Sequence, residues 1–162
     1  MKEVIVKVAD WAAERGDGVL VTLGLGSCVA IMLHDPDRRA GAMAHILLPS
    51  RSLAHDATNP AKFPETAVPL LIERLKALGA EPRRLVAKLA GGASMFSQLM
   101  TPGTIQMGER NVVAARNALR TAAIPIVREA VGGERGRTVR FHVTDGRVEI
   151  RCVGGGGDAE IL

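Results

Sequence analysis

The stretch Val29-Ala30-Ile31-Met32-Leu33-His34-Asp35-Pro36-Asp37, followed by Gly41-Ala42-Met43-Ala44-His45-Ile46-Leu47-Leu48-Pro49, decides the reading of the fold. Two apolar runs of strand length are separated by Asp-Pro-Asp turn chemistry and closed by a proline, the pattern of an antiparallel hairpin. Working outward, Val19-Leu20-Val21-Thr22-Leu23 follows a Gly16-Asp17-Gly18 turn, and Val4, Val6 and Val8 alternate with Ile5, Lys7 and Ala9. Both segments read as further strands. Beyond the hairpin, residues 50–62 are polar and proline-containing, a surface loop. Residues 65–78 put Val68, Leu71, Leu75 and Leu78 on one helical stripe ending at Gly79. Pro69 must lie near the first turn of that helix or kink it. Leu85 to Leu89 is a short strand running into Gly91-Gly92, a second helix spans about 109–122, and Ile124-Pro125-Ile126-Val127 resumes extended chain.

Near the end, Val139 to Thr144 and Arg147 to Cys152 flank Asp145-Gly146, the signal of a two-residue type I′ hairpin. With Thr144 opposite Arg147, Val143 meets Val148, Phe141 meets Ile150 and Val139 meets Cys152, so Cys152 reads as core. Both element types occur without strict βαβ alternation. The fold class is therefore α+β, with mixed, largely antiparallel sheets packed against two or three helices.

A chain of 162 residues with 47% apolar and 23% charged side chains suits one domain with its own core. That domain is read over 1–153, with 154–162 a flexible glycine-rich tail. Three Phe, one Trp and no Tyr leave few rings on which bases stack, and the +4 charge is spread through the chain instead of being clustered. Both features speak against nucleic acid. Two isolated cysteines point to a reducing compartment, and neither a signal peptide nor a membrane-spanning stretch is present, so a cytoplasmic protein without membrane insertion is expected.

Chemistry concentrates at Leu23-Gly24-Leu25-Gly26-Ser27-Cys28. Two glycines allow a sharp turn and close approach of another molecule. Backbone N–H groups around Gly26 and Ser27 can converge as donors for an oxyanion, and their dipoles favour a thiolate at Cys28. The plain reading is a small buried residue at a strand start. His45 adds weight to the reactive one: with a turn centred between Pro36 and Asp37 it directly opposes Cys28, within side-chain reach. Otherwise it is a core histidine satisfied by a carbonyl. An imidazole base works best when its second nitrogen is held, and the Thr22 hydroxyl on the neighbouring strand can accept that N–H, although a β-branched strand residue needs no such role. The third glycine of a dinucleotide fingerprint is missing, no phosphate-loop lysine motif occurs, and His and Cys never fall at metal-pair spacing, so neither cofactor nor metal is expected. Asp35 and Asp37 read as turn formers.

Residues 22–30 and 41–49 closely resemble the chemoreceptor glutamine deamidase family CheD. The likeness continues through Ala87-Lys88-Leu89-Ala90-Gly91-Gly92-Ala93-Ser94-Met95-Phe96, Met107-Gly108-Glu109-Arg110-Asn111, Gly132-Gly133 with Gly136-Arg137, and the terminal hairpin. The resemblance implies a fold related to the catalytic domain of cytotoxic necrotizing factor toxins, with Cys28 as nucleophile, His45 as base and Thr22 as third member. It also implies a protein-glutamine glutaminase acting on the cytoplasmic helices of methyl-accepting chemotaxis receptors, recruited to membrane-bound receptor arrays, with the CheC phosphatase as a second partner. A non-catalytic chemotaxis adaptor and a transglutaminase-like thiol acyltransferase are the alternatives.

Overall fold

The computed structural model describes residues 2–95, 99, 106–154 and 159–162. Among them the elements run β1 (Glu3–Ile5), β2 (Trp11–Arg15), β3 (Val19–Leu25), β4 (Val29–Asp35), β5 (Ala40–Ile46), α1 (Pro64–Ala77), β6 (Val86–Gly91), α2 (Met107–Thr121), β7 (Ile126–Val131), β8 (Arg137–His142), β9 (Val148–Cys152) and β10 (Glu160–Ile161). The strands form two five-stranded sheets, ordered β1-β3-β8-β9-β10 and β2-β5-β4-β6-β7. Among the described residues only β1 with β3 and β6 with β7 pair in parallel. This is an α+β architecture.

Side-chain alternation sorts the core into two layers. Between the sheets lie Leu20, Leu25, Ala30, Met32, Met43, Ala90, Val139, Phe141 and Ile150. The opposite face of the second sheet, with Ile31, Leu33, Ala42, Ala44 and Ile46, is covered by Val68, Leu71 and Leu75 of α1 and Val112, Ala115 and Leu119 of α2. Strands β4 and β5 are thus buried on both faces, which is why their sequences are apolar almost without interruption. Gly41 makes the sandwich close: a Cβ there would lie 2.8 Å from the Phe141 ring. Pro69 sits inside α1 beyond the first turn, exposed on the outer face.

Three readings of the sequence are corrected. The central hairpin forms, but its register is displaced by two residues. Asp35 opposes Ala40 and Ala30 opposes His45, so Cys28 is not directly across from His45. The cause is a four-residue connection, in which Asp35 Oδ1 accepts the N–H groups of Asp37 and Arg38 and Arg39 takes φ 52°. The terminal hairpin is also displaced by two residues, in the opposite direction: Phe141 opposes Val148 and Val139 opposes Ile150. His142 N–H donates to the Arg147 carbonyl, and Gly146 N–H to the His142 carbonyl. Val143 and Thr144 are drawn instead to the turn between β2 and β3, donating to the carbonyls of Gly18 and Gly16. Cys152 consequently faces Arg137 at the end of the sheet and is exposed, not core.

The third correction concerns the tail. Glu160 and Ile161 pair with Ile150 and Glu149, Leu162 is buried, and Lys88 Nζ donates to the Leu162 carbonyl at 2.7 Å. Its last residues are docked because they complete a sheet edge. Residues 155–158 of the expected tail, and Phe96 of the motif beginning at Ala87, lie outside the described residues. Strand β2 went unread because Trp11-Ala12-Ala13-Glu14-Arg15 has no strand-like alternation; it is an edge strand held by β5.

Candidate active site

Thr22 lies on β3 with its side chain between the sheets, and immediately after it the ladder with β8 slips before resuming at Leu25. Gly24 takes φ +60° in this bulge. The chain then leaves the first sheet and enters the second through Gly26, Ser27 and Cys28. All three carbonyls of that turn are claimed from the protein side: Gly26 by Ala93 N–H at 2.9 Å, Cys28 by Gly92 N–H at 2.8 Å, and Ser27 by the Asn111 side-chain amide at 2.9 Å. The peptides are trans, so carbonyl and following N–H point opposite ways, and the N–H groups of Ser27 and Cys28 face away from these partners.

His45 occupies the inter-sheet face of β5 opposite Ala30, and its ring crosses to the other sheet. Its Nδ1 lies 2.7 Å from Thr22 Oγ1, while that hydroxyl donates its own proton to the Val6 carbonyl at 2.6 Å. With the hydroxyl proton committed, Thr22 accepts from Nδ1–H, and the imidazole carries its lone pair on Nε2. Nε2 is buried and, among the described residues, has no hydrogen-bond partner. The His45 main chain is held on its other side by Ala9 N–H and the Asp10 carbonyl, so the ring is carried on a fixed strand.

Cys28 lies on the same face as His45, because a shift of two residues preserves the side to which a side chain points. The two are diagonal neighbours across the ladder, at the separation that long side chains span. The thiol is 9% exposed. Burial pushes its pKa up, and its own backbone N–H offsets this only in part. Burial thus works against the thiolate that the turn dipoles were expected to favour. Burial likewise pushes the His45 pKa down, opposed by the hydrogen bonding to Val6, so the ring rests neutral. The two directions together suit general-base chemistry better than a preformed ion pair.

A cavity of about 280 Å³ opens beside this turn, lined by Ser27, Ala93, Ser94, Met95 and the start of α2 at Met107 and Gly108. A wider depression of about 420 Å³ runs along the outer face of α2 by Pro49 and Val113, away from the reactive groups. Among the described residues no group of three or more His, Cys, Asp or Glu is placed to hold a metal ion, and no helix is long and apolar enough to cross a membrane.

Residues 47–152 match the family described as CheD chemotactic sensory transduction. The chain is 44% identical over 161 residues to the chemoreceptor glutamine deamidase CheD of Thermotoga maritima, covering 99% of this chain and 98% of that one. It is 43% identical over 151 residues to a probable chemoreceptor glutamine deamidase CheD of Caldanaerobacter subterraneus subsp. tengcongensis, 93% of each chain. A probable chemoreceptor glutamine deamidase CheD of Moorella thermoacetica is 46% identical over 154 residues, 94% of this chain and 92% of that protein. The chain belongs to the CheD family.

Within this CheD chain one polar residue, the last of the motif beginning at Met107, was given no role by the sequence. Asn111 is fully buried on α2, on the same stripe as Val112, Ala115 and Leu119. Its Nδ2 donates to both the Ser27 carbonyl and, at 3.1 Å, the Leu47 carbonyl. An amide on the apolar stripe of a helix was the available signal, since buried polar groups are seldom kept without partners.

Proposed function

We propose that this CheD family member converts glutamine side chains on the cytoplasmic helices of methyl-accepting chemotaxis receptors to glutamate, releasing ammonia. Cys28 Sγ–H passes its proton to His45 Nε2 as sulfur attacks the amide carbon, and the N–H groups of Ser27 and Cys28 receive the oxyanion. On collapse, His45 returns that proton to the departing nitrogen, the C–N bond breaks and ammonia leaves a thioester. Water then gives a proton to Nε2 and attacks the thioester carbon, and the departing sulfur recovers the proton, leaving a carboxylic acid that ionises. Thr22 holds the ring in the tautomer that both steps use. Gly26 contributes by giving the turn its close approach to substrate.

The observation that carries this reading is the Thr22–His45 hydrogen bond with Nε2 left unpartnered on the face shared with Cys28. The names of the relatives supply the substrate, chemoreceptor glutamine. Recruitment to receptor arrays and a CheC phosphatase partner complete the proposal. The test is incubation with receptor cytoplasmic fragments followed by mass-spectrometric mapping of glutamine-to-glutamate conversion, with Cys28→Ala as the inactive control. Conversion that persists in the Cys28→Ala protein overturns the mechanism, and no conversion by the intact protein overturns the assignment.

A further inference from the structure

We propose that Asn111 is a positioning residue for the reaction, whose side-chain amide sets both the Ser27–Cys28 peptide and the end of the strand that carries His45. This rests on the reading of Cys28 and His45 as the reacting pair. Among the described residues the Asn111 side chain donates to two carbonyls, and it acts through them. One belongs to Ser27, whose carbon is bonded to the Cys28 nitrogen, and the other to Leu47, two residues beyond His45. Both neighbours are acceptors, which fixes the amide with its NH₂ towards them and Oδ1 away.

The consequence at Ser27 is directional. Because the Ser27–Cys28 peptide is trans, drawing the Ser27 carbonyl onto Asn111 turns the Cys28 N–H the opposite way, the orientation needed of an oxyanion donor. At Leu47 the same amide ties the end of β5 to α2, so the nucleophile and the base are referred to one anchor. The flanking carbonyls of Gly26 and Cys28 are held by Ala93 and Gly92, and Gly92 is pressed against α2: a Cβ there would meet Val112 Cγ2 at 2.3 Å. Without Asn111, the peptide between them has no anchor of its own to fix its rotation.

The cost of the arrangement argues that it is not packing alone. Asn111 is fully buried, and among the described residues its Oδ1 has no hydrogen-bond partner. An unpaired buried acceptor is destabilising, and an apolar residue of similar shape would avoid it. What an apolar residue lacks is the pair of donors.

The experiment compares the full-length protein with Asn111→Ala, Asn111→Asp and Leu119→Ala. The aspartate keeps the shape but offers at most one proton, so it cannot hold both carbonyls; Leu119→Ala removes packing from the same helix at a distance from the turn. Each is measured well below its own melting midpoint for deamidation of receptor fragments and for the pH dependence of Cys28 alkylation by chloroacetamide, a small primary amide. Both Asn111 variants are expected to lose about a hundredfold in kcat with little change in KM. Their alkylation rate should climb tenfold per pH unit like an unassisted thiol, where the unaltered protein shows a shallower, His45-assisted profile. Leu119→Ala is expected to melt earlier yet keep kcat and the shallow profile. Asn111 variants that behave like Leu119→Ala overturn the proposal, as does failure of both to fold while Leu119→Ala folds, which would assign Asn111 to the fold alone. If the intact protein shows assisted alkylation but no deamidation, the substrate assignment fails, and the alkylation profiles still decide the role of Asn111.

Discussion

Thr22 and His45 belong to different sheets, and the 2.7 Å hydrogen bond between them is a polar link across a largely apolar interior. Thr22 gives its proton to Val6 on the first sheet and accepts one from His45 on the second. Replacing it by the near-isosteric Val leaves two buried groups, Nδ1–H and the Val6 carbonyl, without partners. Thr22→Val should lower stability by about 1–3 kcal/mol in urea unfolding and reduce kcat by about ten- to a hundredfold. Thr22→Ser, which keeps the hydroxyl, should recover most of the rate.

Stability should fall on acidification through the two buried histidines. His45 is held neutral by burial, and so is His34, whose Nε2 lies 2.7 Å from the Val143 carbonyl; both have pKa values below the ordinary value of 6.5. A depressed folded-state pKa means that the unfolded chain binds more protons once pH drops below about 6.5. The stabilisation is complete above that pH and is lost as pH falls towards the folded-state values. Urea unfolding at a series of pH values from 7.5 to about 5 should show this decline, and His34→Asn should flatten part of it. A stability independent of pH across that window contradicts neutral burial of both rings.

The extent to which the sequence disclosed this arrangement follows from what each element depends on. The strands β4 and β5 were legible because burial on both faces leaves an unbroken apolar run, and the helices because one apolar stripe covers the sheet. Register was not legible. It depends on how many residues each connection holds, and that was decided by contacts made elsewhere: Asp35 capping its own turn, and Val143 and Thr144 bonding to Gly18 and Gly16. The pairing of Thr22 with His45 was anticipated as chemistry, without the knowledge that it crosses two sheets. Asn111 was missed because its partners, Ser27 and Leu47, are distant in the chain and offer only carbonyls, which every residue possesses.

The two cysteines should label in the reverse of the order suggested by a core Cys152. Cys152 is exposed at the end of β9, whereas Cys28 is almost covered and its thiol is pushed towards the neutral form. A bulky maleimide at neutral pH should modify Cys152 first, and only a small reagent should reach Cys28 at a comparable rate. Peptide mapping after timed quenching measures both. Faster maleimide capture at Cys28 would mean that the sulfur is more open and more ionised than its burial implies.

Close approach of the two sheets should fail at one defined point. Gly41→Ala places a methyl group 2.8 Å from the ring of Phe141, a buried core side chain that must shift to accept it. A loss of about 1–3 kcal/mol is expected from forced repacking. Pairing it with Phe141→Leu should recover part of the loss, and additivity of the two losses would show that the ring is not what the glycine accommodates.

Selection of a glutamine must lie outside the reacting groups, because amide side chains occur on every protein surface. Met95 is placed to take part: it is 51% exposed, lines the cavity beside Ser27, and its sulfur lies 3.0 Å from where a Cβ on Gly26 would sit. A flexible thioether over the reactive turn suits an apolar contact with a receptor helix, since methionine adapts its shape to the surface it meets. Burying its remaining exposed surface is worth on the order of 1 kcal/mol, which corresponds to roughly fivefold in binding. Met95→Ser should therefore raise KM for receptor fragments about fivefold while leaving chloroacetamide alkylation of Cys28 unchanged, because that reagent is too small to need the contact. An equal fall in both rates would place Met95 in the support of the turn, and no change in either would move substrate selection to another part of the surface.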